Sequence, residues 1–374
     1  MFKITNIMHG AVLNREWGQE TASGLEIAVK GYADPSDEVL VNNIPCLRAR
    51  NDFACNVNIT ERISEIRAET INHEGQFAHA IKVIWDKSSF KRYRFFIDDC
   101  IFFLADIHKH GYTSLFECFF LRRLQEMNRR YGVKFVLNCF YRNDHVPFTL
   151  SEFPERYKSE WLDNAGWLKL SFHAYSEFPD RPYQNASGEK LAADYDLVRD
   201  EIVRFAAAET FCPPIVIHWA MVNPACLKVL VERGVNVLSG QFLNARMAVG
   251  QEVGGEECLD IGYFLDKTRA EYLKNNSLVY DFQKGILFEM GDICCNLDSA
   301  EEIGRKLELK YGRGDVNHVI ALATHEQYAF PFYANYIPDH FERIEVAVKW
   351  CAEHNYRPVF PHEGILGNTT WGHE

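Results

Sequence analysis

From Lys91 onward the chain alternates short apolar segments with amphipathic ones, and this alternation restricts the possible folds more than any other feature. The segments YRFFIDD, VKFVLNCF, WLKLSF, PIVIHWA, VNVLSG, HVIALATH and RPVF are rich in aromatic or β-branched residues, as buried strands are. Helical patterns follow most of them. Strands and helices in alternation are typical of βα units around a parallel sheet. The sequence therefore predicts an α/β fold for residues 91–374, a distorted (β/α) barrel of about seven parallel strands.

The preceding residues have a different pattern. LEIAVKGY, EVLVNN and FACNVNI alternate apolar and polar positions and are separated by turn residues such as Asp34 and Pro35. Short alternating segments at this spacing predict a small all-β sandwich over residues 1–90. The segment GYADPSDEVLVNN resembles the immunoglobulin-like modules that are appended to bacterial carbohydrate-active enzymes. In the second domain the rhythm of strands and helices breaks between residues 244 and 291, which predicts a β-rich insertion.

The composition restricts the partners and the compartment. A formal net charge of -12 disfavours nucleic acid and anionic membranes, so we expect a neutral or cationic small-molecule substrate. Eleven cysteines without a CxxC pair predict buried thiols rather than disulfides or a structural zinc site. The absence of a long apolar run predicts a cytoplasmic protein that does not enter a membrane. No pattern in the sequence predicts an oligomeric state.

Polar side chains end four of the predicted strands. Asp98 and Asp99 close the first strand, His173 the third, His218 the fourth, and His325 closes HVIALATH. Because the carboxyl ends of parallel strands meet at one edge, these five side chains are expected to lie close together. A single histidine at a strand end is often structural, but three imidazoles beside two carboxylates indicate a metal or catalytic site.

The segment YRFFIDDC resembles the TFDDG motif of the polysaccharide deacetylase family, and the resemblance covers roughly Tyr93 to Phe360. In that family the first aspartate of the pair is the general base and the second binds the metal ion. The resemblance therefore implies that Asp98 is the base and Asp99 is a metal ligand. Cys100 stands where the family has glycine.

The family's second motif, H-[ST]-x-x-H, supplies two metal-binding histidines four residues apart. In LSFHAYSEFP, His173 matches the first histidine and Glu177 occupies the position of the second. A carboxylate can bind zinc, but His218 at the end of PIVIHWA is an alternative third ligand. The sequence leaves the choice between Glu177 and His218 open.

The resemblance also implies substrate-binding residues. The family's RPPYG motif would fall at PPIVIHWAMVN, where its arginine is missing and Trp219 could stack on a sugar ring. Arg181, in FPDRPY, is a candidate replacement for the missing arginine, and Tyr175 is a further candidate contact. His325 ends a strand in the way that the last family motif ends in a histidine, which acts as the general acid.

Taken together, the resemblance implies a metal-dependent hydrolase, with zinc as the expected ion, that removes acyl groups, most simply acetyl, from a carbohydrate or amino sugar. Two other classes remain open. One is another hydrolase on the same scaffold, either an amidase or a glycosidase, and the other is a carbohydrate-binding protein without activity. A glycosidase needs a second carboxylate across the scissile bond, for which the candidates are Glu177, Glu289 and Glu326.

Overall fold

The computed structural model describes residues 2–72, 75–244, 259–312 and 319–371. The chain divides into two units. The first contains the residues up to Phe90 together with Leu278–Gln283 and the segment that starts at Asn368, and the second contains Lys91–Ser277 and Lys284–Gly367.

Ten of the eleven described strands in the first unit, β1 to β10, form two five-stranded sheets. Its strands are β1 (Lys3–Ile4), β2 (Val12–Leu13), β3 (Gly18–Thr21), β4 (Gly24–Tyr32), β5 (Glu38–Val41), β6 (Ile44–Pro45), β7 (Leu47–Ala49), β8 (Asp52–Ile59), β9 (Ile63–Asn72), β10 (Gly75–Trp85) and, from the later segment, β17 (Leu278–Asp281). One sheet has the order β1-β4-β8-β7 with β3 also paired to β4, and the other has the order β2-β10-β9-β5-β6. Every pairing in these sheets except that of β2 with β10 is antiparallel. Leu25, Ile27 and Val29 of β4 are buried and alternate with exposed residues, so one face of its sheet forms a core.

The second unit combines parallel strands with eight helices among its described residues. Its strands are β11 (Arg92–Cys100), β12 (Phe135–Phe140), β13 (Leu168–Ala174), β14 (Val237–Gly240), β15 (Leu243–Asn244), β16 (Leu259–Asp260), β18 (Ile286–Met290), β19 (Ile293–Cys294), β20 (Val319–His325) and β21 (Arg357–Pro358). Its helices are α1 (Phe102–His110), α2 (Phe119–Tyr131), α3 (Lys158–Asn164), α4 (Gly188–Ala206), α5 (Leu227–Val231), α6 (Lys267–Asn276), α7 (Ala300–Tyr311) and α8 (His340–Glu353).

The prediction of a barrel of seven parallel strands is wrong, and the observed class is mixed α/β with several sheets. In the second unit the parallel strands fall into a six-stranded sheet, ordered β13-β12-β11-β20-β19 with β21 also paired to β11, and a separate sheet that contains the pair β14 and β18. The segment PIVIHWA forms no strand: Pro214 has no N–H group to donate, the Ile215 carbonyl accepts from the Ser239 N–H, and the Ile217 N–H donates to the Tyr263 hydroxyl instead of to a neighbouring strand. RPVF contributes only the two residues of β21, which end at Pro358.

The predicted insertion at 244–291 includes residues 245–258, which lie outside the described residues. Its described part contains β16, α6, β17 and β18. Of these, β18 is a parallel strand of the second unit, whereas Leu278–Gln283 belongs to the first unit.

Among the described residues, no helix has the length and apolar character needed to cross a membrane. All ten cysteines in these residues are free thiols, and most of them are buried.

The strand β11 lies in the middle of the six-stranded sheet and carries the residues that lead to the site. All nine of its residues are buried, as expected for a strand that is covered on both faces. The helix α1 starts two residues after β11, and Ile101 at its N-terminus has no capping side chain. The carboxylate of Glu326 replaces the cap, because it accepts hydrogen bonds from the backbone N–H groups of Ile101, Phe102 and Phe103 at 2.6 to 2.8 Å.

A buried ion pair joins β11 to the second parallel sheet. Arg94 of β11 and Glu289 of β18 each have side chains that are 1% exposed. Arg94 donates from Nε to Glu289 Oε2 at 2.8 Å, from Nη2 to Ser239 Oγ at 2.6 Å, and from Nη1 to the Leu322 carbonyl at 2.9 Å. One guanidinium therefore connects β11, β14, β18 and β20.

We expect Arg94→Met to lower the free energy of unfolding by about 3 to 5 kcal/mol, because it leaves the Glu289 carboxylate buried without a cation. Chemical denaturation of the purified protein measures this loss. The matched control is Arg123→Met, which breaks the exposed i,i+3 pair of Arg123 with Glu126 on α2 and should cost less than about 1 kcal/mol. Equal losses in the two variants would show that burial of the Arg94 pair has no energetic consequence.

Candidate metal centre and cavity

The site lies at the carboxyl ends of β11, β13 and β20. The chain runs from β11 through β12 to β13 in one direction across the sheet, whereas β20 pairs with β11 on its other side. The reversal of strand order beside β11 opens a crevice at this edge, which is where open α/β sheets bind ligands. In the pairing of β11 with β20, the last pair of opposed residues is Asp98 and His325.

An irregularity in β11 directs two adjacent aspartates toward the same site. In a regular strand Asp98 and Asp99 would point to opposite faces of the sheet. Here the pairing of β11 with β12 shifts register between Ile97 and Cys100, and Asp99 has a φ of 60°. Such bulges redirect side chains, and aspartate tolerates the left-handed conformation better than most residues. As a result, His173 Nδ1 lies 3.7 Å from Asp98 Oδ1, and His173 Nε2 lies 3.1 Å from Asp99 Oδ1.

Asp99, His173 and His218 form a buried group that could hold a metal ion. The three atoms that face one another are Asp99 Oδ1, His173 Nε2 and His218 Nδ1. Asp99 Oδ1 is 3.1 Å from His173 Nε2 and 3.3 Å from His218 Nδ1, and the two ring nitrogens are 3.2 Å apart. Each residue thus contributes one ligand atom to a nearly equilateral triangle.

The outer contacts of the two histidines fix which ring nitrogens carry protons. His173 Nδ1 lies 3.2 Å from the Val216 carbonyl, and His218 Nε2 lies 3.1 Å from the Glu177 carbonyl. A carbonyl oxygen only accepts, so both of these nitrogens donate and the two inner nitrogens present lone pairs. Asp99 Oδ1 is buried and makes no well-aligned hydrogen bond. Three electron-pair donors therefore converge on one point, which is the arrangement that a cation requires.

The electrostatics of Asp99 and His173 agree with this arrangement. The pKa of Asp99 is held well below its usual range: burial raises it, but hydrogen bonds from His173 and His218 outweigh burial when their inner nitrogens carry protons, and a cation bound in place of those protons would lower it in the same way. Burial lowers the pKa of His173 to about 4, although Asp99 acts in the opposite direction. At neutral pH Asp99 is therefore a carboxylate and His173 a neutral imidazole, which are the forms that bind metals.

Asp98 has a different environment from its neighbour. Its Oδ1 accepts a hydrogen bond from Asn138 Nδ2 at 2.7 Å, and its side chain is almost fully buried. Burial raises the pKa of Asp98 well above the usual value, the Asn138 contact lowers it, and the nearby Asp99 raises it further. The two adjacent carboxyl groups thus have pKa values that are displaced in opposite directions.

His325 lines the same cavity, at the end of β20 and beside Asp98 of β11. Its Nδ1 is 2.9 Å from Asn296 Oδ1 and 3.7 Å from Cys294 Sγ. The amide oxygen of Asn296 accepts from Nδ1, which leaves Nε2 available for proton exchange. Burial lowers the pKa of His325, and Asp99 acts in the opposite direction.

The structure places the carboxylate of Glu177 beside a residue that the sequence did not indicate. Glu177 Oε2 is 2.5 Å from His145 Nε2, and only the backbone carbonyl of Glu177 contacts His218. Burial raises the pKa of Glu177, whereas His145 lowers it. Glu177 still lines the cavity, but its carboxylate is not part of the buried metal-ligand group.

The cavity at this edge has a volume of about 360 Å³, which is in the range of small-ligand pockets. Its lining includes the aromatic side chains of Trp219, Tyr328 and Tyr333. Trp219 is 36% exposed, and Arg181 lies 4.9 Å from the centre of its ring. Arg181 therefore supports Trp219 from outside the cavity lining. Tyr175 is also outside the lining and stacks on Tyr141 with a centroid separation of 5.3 Å.

Four residues that position the site were missed in the sequence. Asn138 holds Asp98, Asn296 holds His325, His145 holds Glu177, and Gln327 donates to Asp99 Oδ2 at 2.7 Å. One signal was present for Asn138, because it is the single strongly polar residue of the buried strand FVLNCF. The others lie in loops or turns, where polar residues are common and carry no such signal.

Comparisons with known proteins do not identify the chain. No protein-family model matches the sequence, and no curated protein matches it significantly.

Proposed function

We propose that the chain is a metal-dependent hydrolase that removes acyl groups, most simply acetyl, from a carbohydrate or amino sugar. The observation that carries the proposal is the triangle of Asp99 Oδ1, His173 Nε2 and His218 Nδ1, flanked in one cavity by Asp98 and His325. Its sides of 3.1, 3.2 and 3.3 Å fit a tetrahedral zinc ion, whose ligand atoms at about 2.0 to 2.1 Å lie about 3.3 Å from each other.

Zinc in such a site lowers the pKa of water toward ~7 and polarises a carbonyl group. Asp98 then acts as the general base. Its raised pKa gives it a greater affinity for the transferred proton than an ordinary surface carboxylate has. Asn138 holds the carboxylate in one orientation by donating to Oδ1, which leaves Oδ2 to accept the proton of the attacking water.

His325 acts as the general acid that protonates the leaving amine or alcohol. Its Nδ1 proton is engaged by Asn296, so the transferred proton is held at Nε2. A lowered pKa makes the imidazolium a stronger acid, which favours transfer to a leaving group.

The positions of the three candidate carboxylates favour acyl hydrolysis over glycoside hydrolysis. The Glu289 carboxylate accepts from Arg94, and the Glu326 carboxylate accepts from the N-terminus of α1. Both side chains are at most 1% exposed and neither lines the cavity. Glu177 is the remaining candidate, and its carboxylate is paired with His145. Of the three candidates only Glu177 lines the cavity, and its contact with His145 makes it less available to act opposite a second carboxylate.

Metal analysis and acetate release test the proposal together. The purified protein should contain about one zinc ion per chain, release acetate from acetylated amino sugars or oligosaccharides, lose that activity on chelation and recover it when zinc is added. Release of reducing sugar without acetate would establish the glycosidase alternative instead. Saccharide binding by a protein that takes up no metal would establish the carbohydrate-binding alternative.

A further inference from the structure

Two cysteines of the first unit lie at the start of the pairing between β7 and β8: Cys46 directly before β7, and Cys55 in β8. β7 pairs with β8 in antiparallel fashion, with Leu47 opposite Ala54 and Arg48 opposite Phe53. Cys46 directly precedes β7 and lies outside the ladder, but the next position of this register is the one opposite Cys55. Directly opposed residues of an antiparallel pair project from the same face of the sheet. Their Cα atoms are about 4.5 to 5.5 Å apart in regular ladders, which is within the span that a disulfide bridges.

The pair lies at a sheet edge that small reagents can reach. β7 is the last strand of its sheet. Both Cys46 and Cys55 are half-buried free thiols, unlike the fully buried Cys139 and Cys212 of the second unit. Burial raises the pKa of the Cys46 thiol to about 12, and contact with the Cys55 thiol adds to the rise. The direction of this shift agrees with the two side chains being neighbours.

We propose that Cys46 and Cys55 form a reversible disulfide by exchange with a low-molecular-weight disulfide such as glutathione disulfide. One cysteine thiolate attacks a glutathione sulfur, which breaks the glutathione S–S bond, forms a mixed disulfide and releases one glutathione thiolate. The second cysteine thiolate attacks the protein sulfur of the mixed disulfide and displaces the other glutathione. Two cysteine thiols are oxidised, glutathione disulfide is reduced to two thiols, and the two cysteine protons are taken up by the released thiolates.

The bond would join the edge strand β7 to β8 by a covalent link. Edge strands present unpaired backbone groups and are the first parts of a sheet to separate, so this position is one where a cross-link restricts local opening. Because the link is exposed to small thiols, the redox state of the surroundings would set its occupancy.

Peptide mapping of the native full-length chain tests the proposal. The protein is incubated with glutathione disulfide at about pH 8.5, where a larger fraction of each thiol is ionised than at neutral pH, and is then quenched with acid and alkylated after denaturation. Trypsin cleaves after Lys30, Arg48, Arg50 and Arg62, which places Cys46 in residues 31–48 and Cys55 in residues 51–62 with one cysteine in each peptide. The expected product is these two peptides linked by a disulfide, and the intact monomer should be lighter by two hydrogens.

Cys55→Ser is the control, and it should convert the linked product into a stable glutathione adduct on Cys46. Cys139 and Cys212 should remain fully alkylated in both proteins. The proposal is overturned if the native wild-type chain yields the two peptides only as separate alkylated or glutathionylated species. Linked peptides found only in covalent dimers would overturn it as well.

Discussion

Asp99→Ala is expected to abolish zinc binding and activity together, whereas Asp98→Asn keeps the ion and loses turnover by a factor of about 10² to 10⁴. The difference follows from the opposite environments of the two carboxyl groups. Asp99 presents a buried oxygen to two imidazole nitrogens, and a positive charge bound between them, either a proton or a metal ion, keeps it ionised. Asp98 accepts a hydrogen bond from Asn138 and has a raised pKa, as a proton acceptor requires.

Two measurements on each variant separate these roles. Metal content and zinc affinity report the ligand, and the rate of acetate release at saturating zinc reports the base. Asp163→Asn, which alters an exposed aspartate on α3, is the control and should change neither measurement. The assignment of base and ligand would be reversed if Asp98→Asn lost the ion as completely as Asp99→Ala does.

The residues of β11 show which features of the site can be predicted from local sequence patterns and which cannot. The segment YRFFIDD is apolar except at its ends, and the structure has a fully buried strand there. Its last two residues, Asp98 and Asp99, lie at the end of the strand where the site is found. The sequence could not predict that both aspartates point toward one site, because their orientation depends on a shift in the pairing register between β11 and β12. Pairing irregularities of this kind arise between strands that are distant in sequence.

The segment PIVIHWA shows where the pattern misleads. Ile215, Val216 and Ile217 are buried, but burial alone does not make a strand. Pro213 and Pro214 have no N–H groups to donate, the Ile217 N–H donates to the Tyr263 hydroxyl, and Trp219 and Ala220 adopt positive φ values of 63° and 47°. The barrel prediction is wrong at this segment, although the segment contains His218, which lies in the metal-ligand group.

The sequence could not predict the polar contacts between residues that are far apart along the chain. Arg94 and Glu289 are 195 residues apart and Glu326 caps a helix that starts 224 residues before it. Neither contact leaves a periodic signal, because each depends on how distant strands are placed. Glu289 and Glu326 appeared as candidate catalytic carboxylates for the same reason: a sequence does not distinguish a buried structural carboxylate from one that faces a cavity.

The identity of the third ligand gives the second large effect that we expect. His218→Ala should weaken zinc affinity by a factor on the order of a hundred or more, since it removes one of three ligand atoms, and Glu177→Gln should have a much smaller effect. His218 Nδ1 belongs to the triangle of electron-pair donors, and its Nε2 is oriented by the Glu177 carbonyl. The Glu177 carboxylate is directed toward His145 instead.

Glu177→Gln is a matched probe because it removes the charge but retains the backbone carbonyl that orients His218. Zinc titration of His218→Ala, Glu177→Gln and the unmodified chain, monitored by a competing chelator, measures the three affinities. If Glu177→Gln stripped the ion while His218→Ala retained it, the carboxylate would have to leave His145 when zinc binds. His218 would then face the substrate, and the two ligands would be four residues apart, with glutamate in the place of the second histidine of the deacetylase motif.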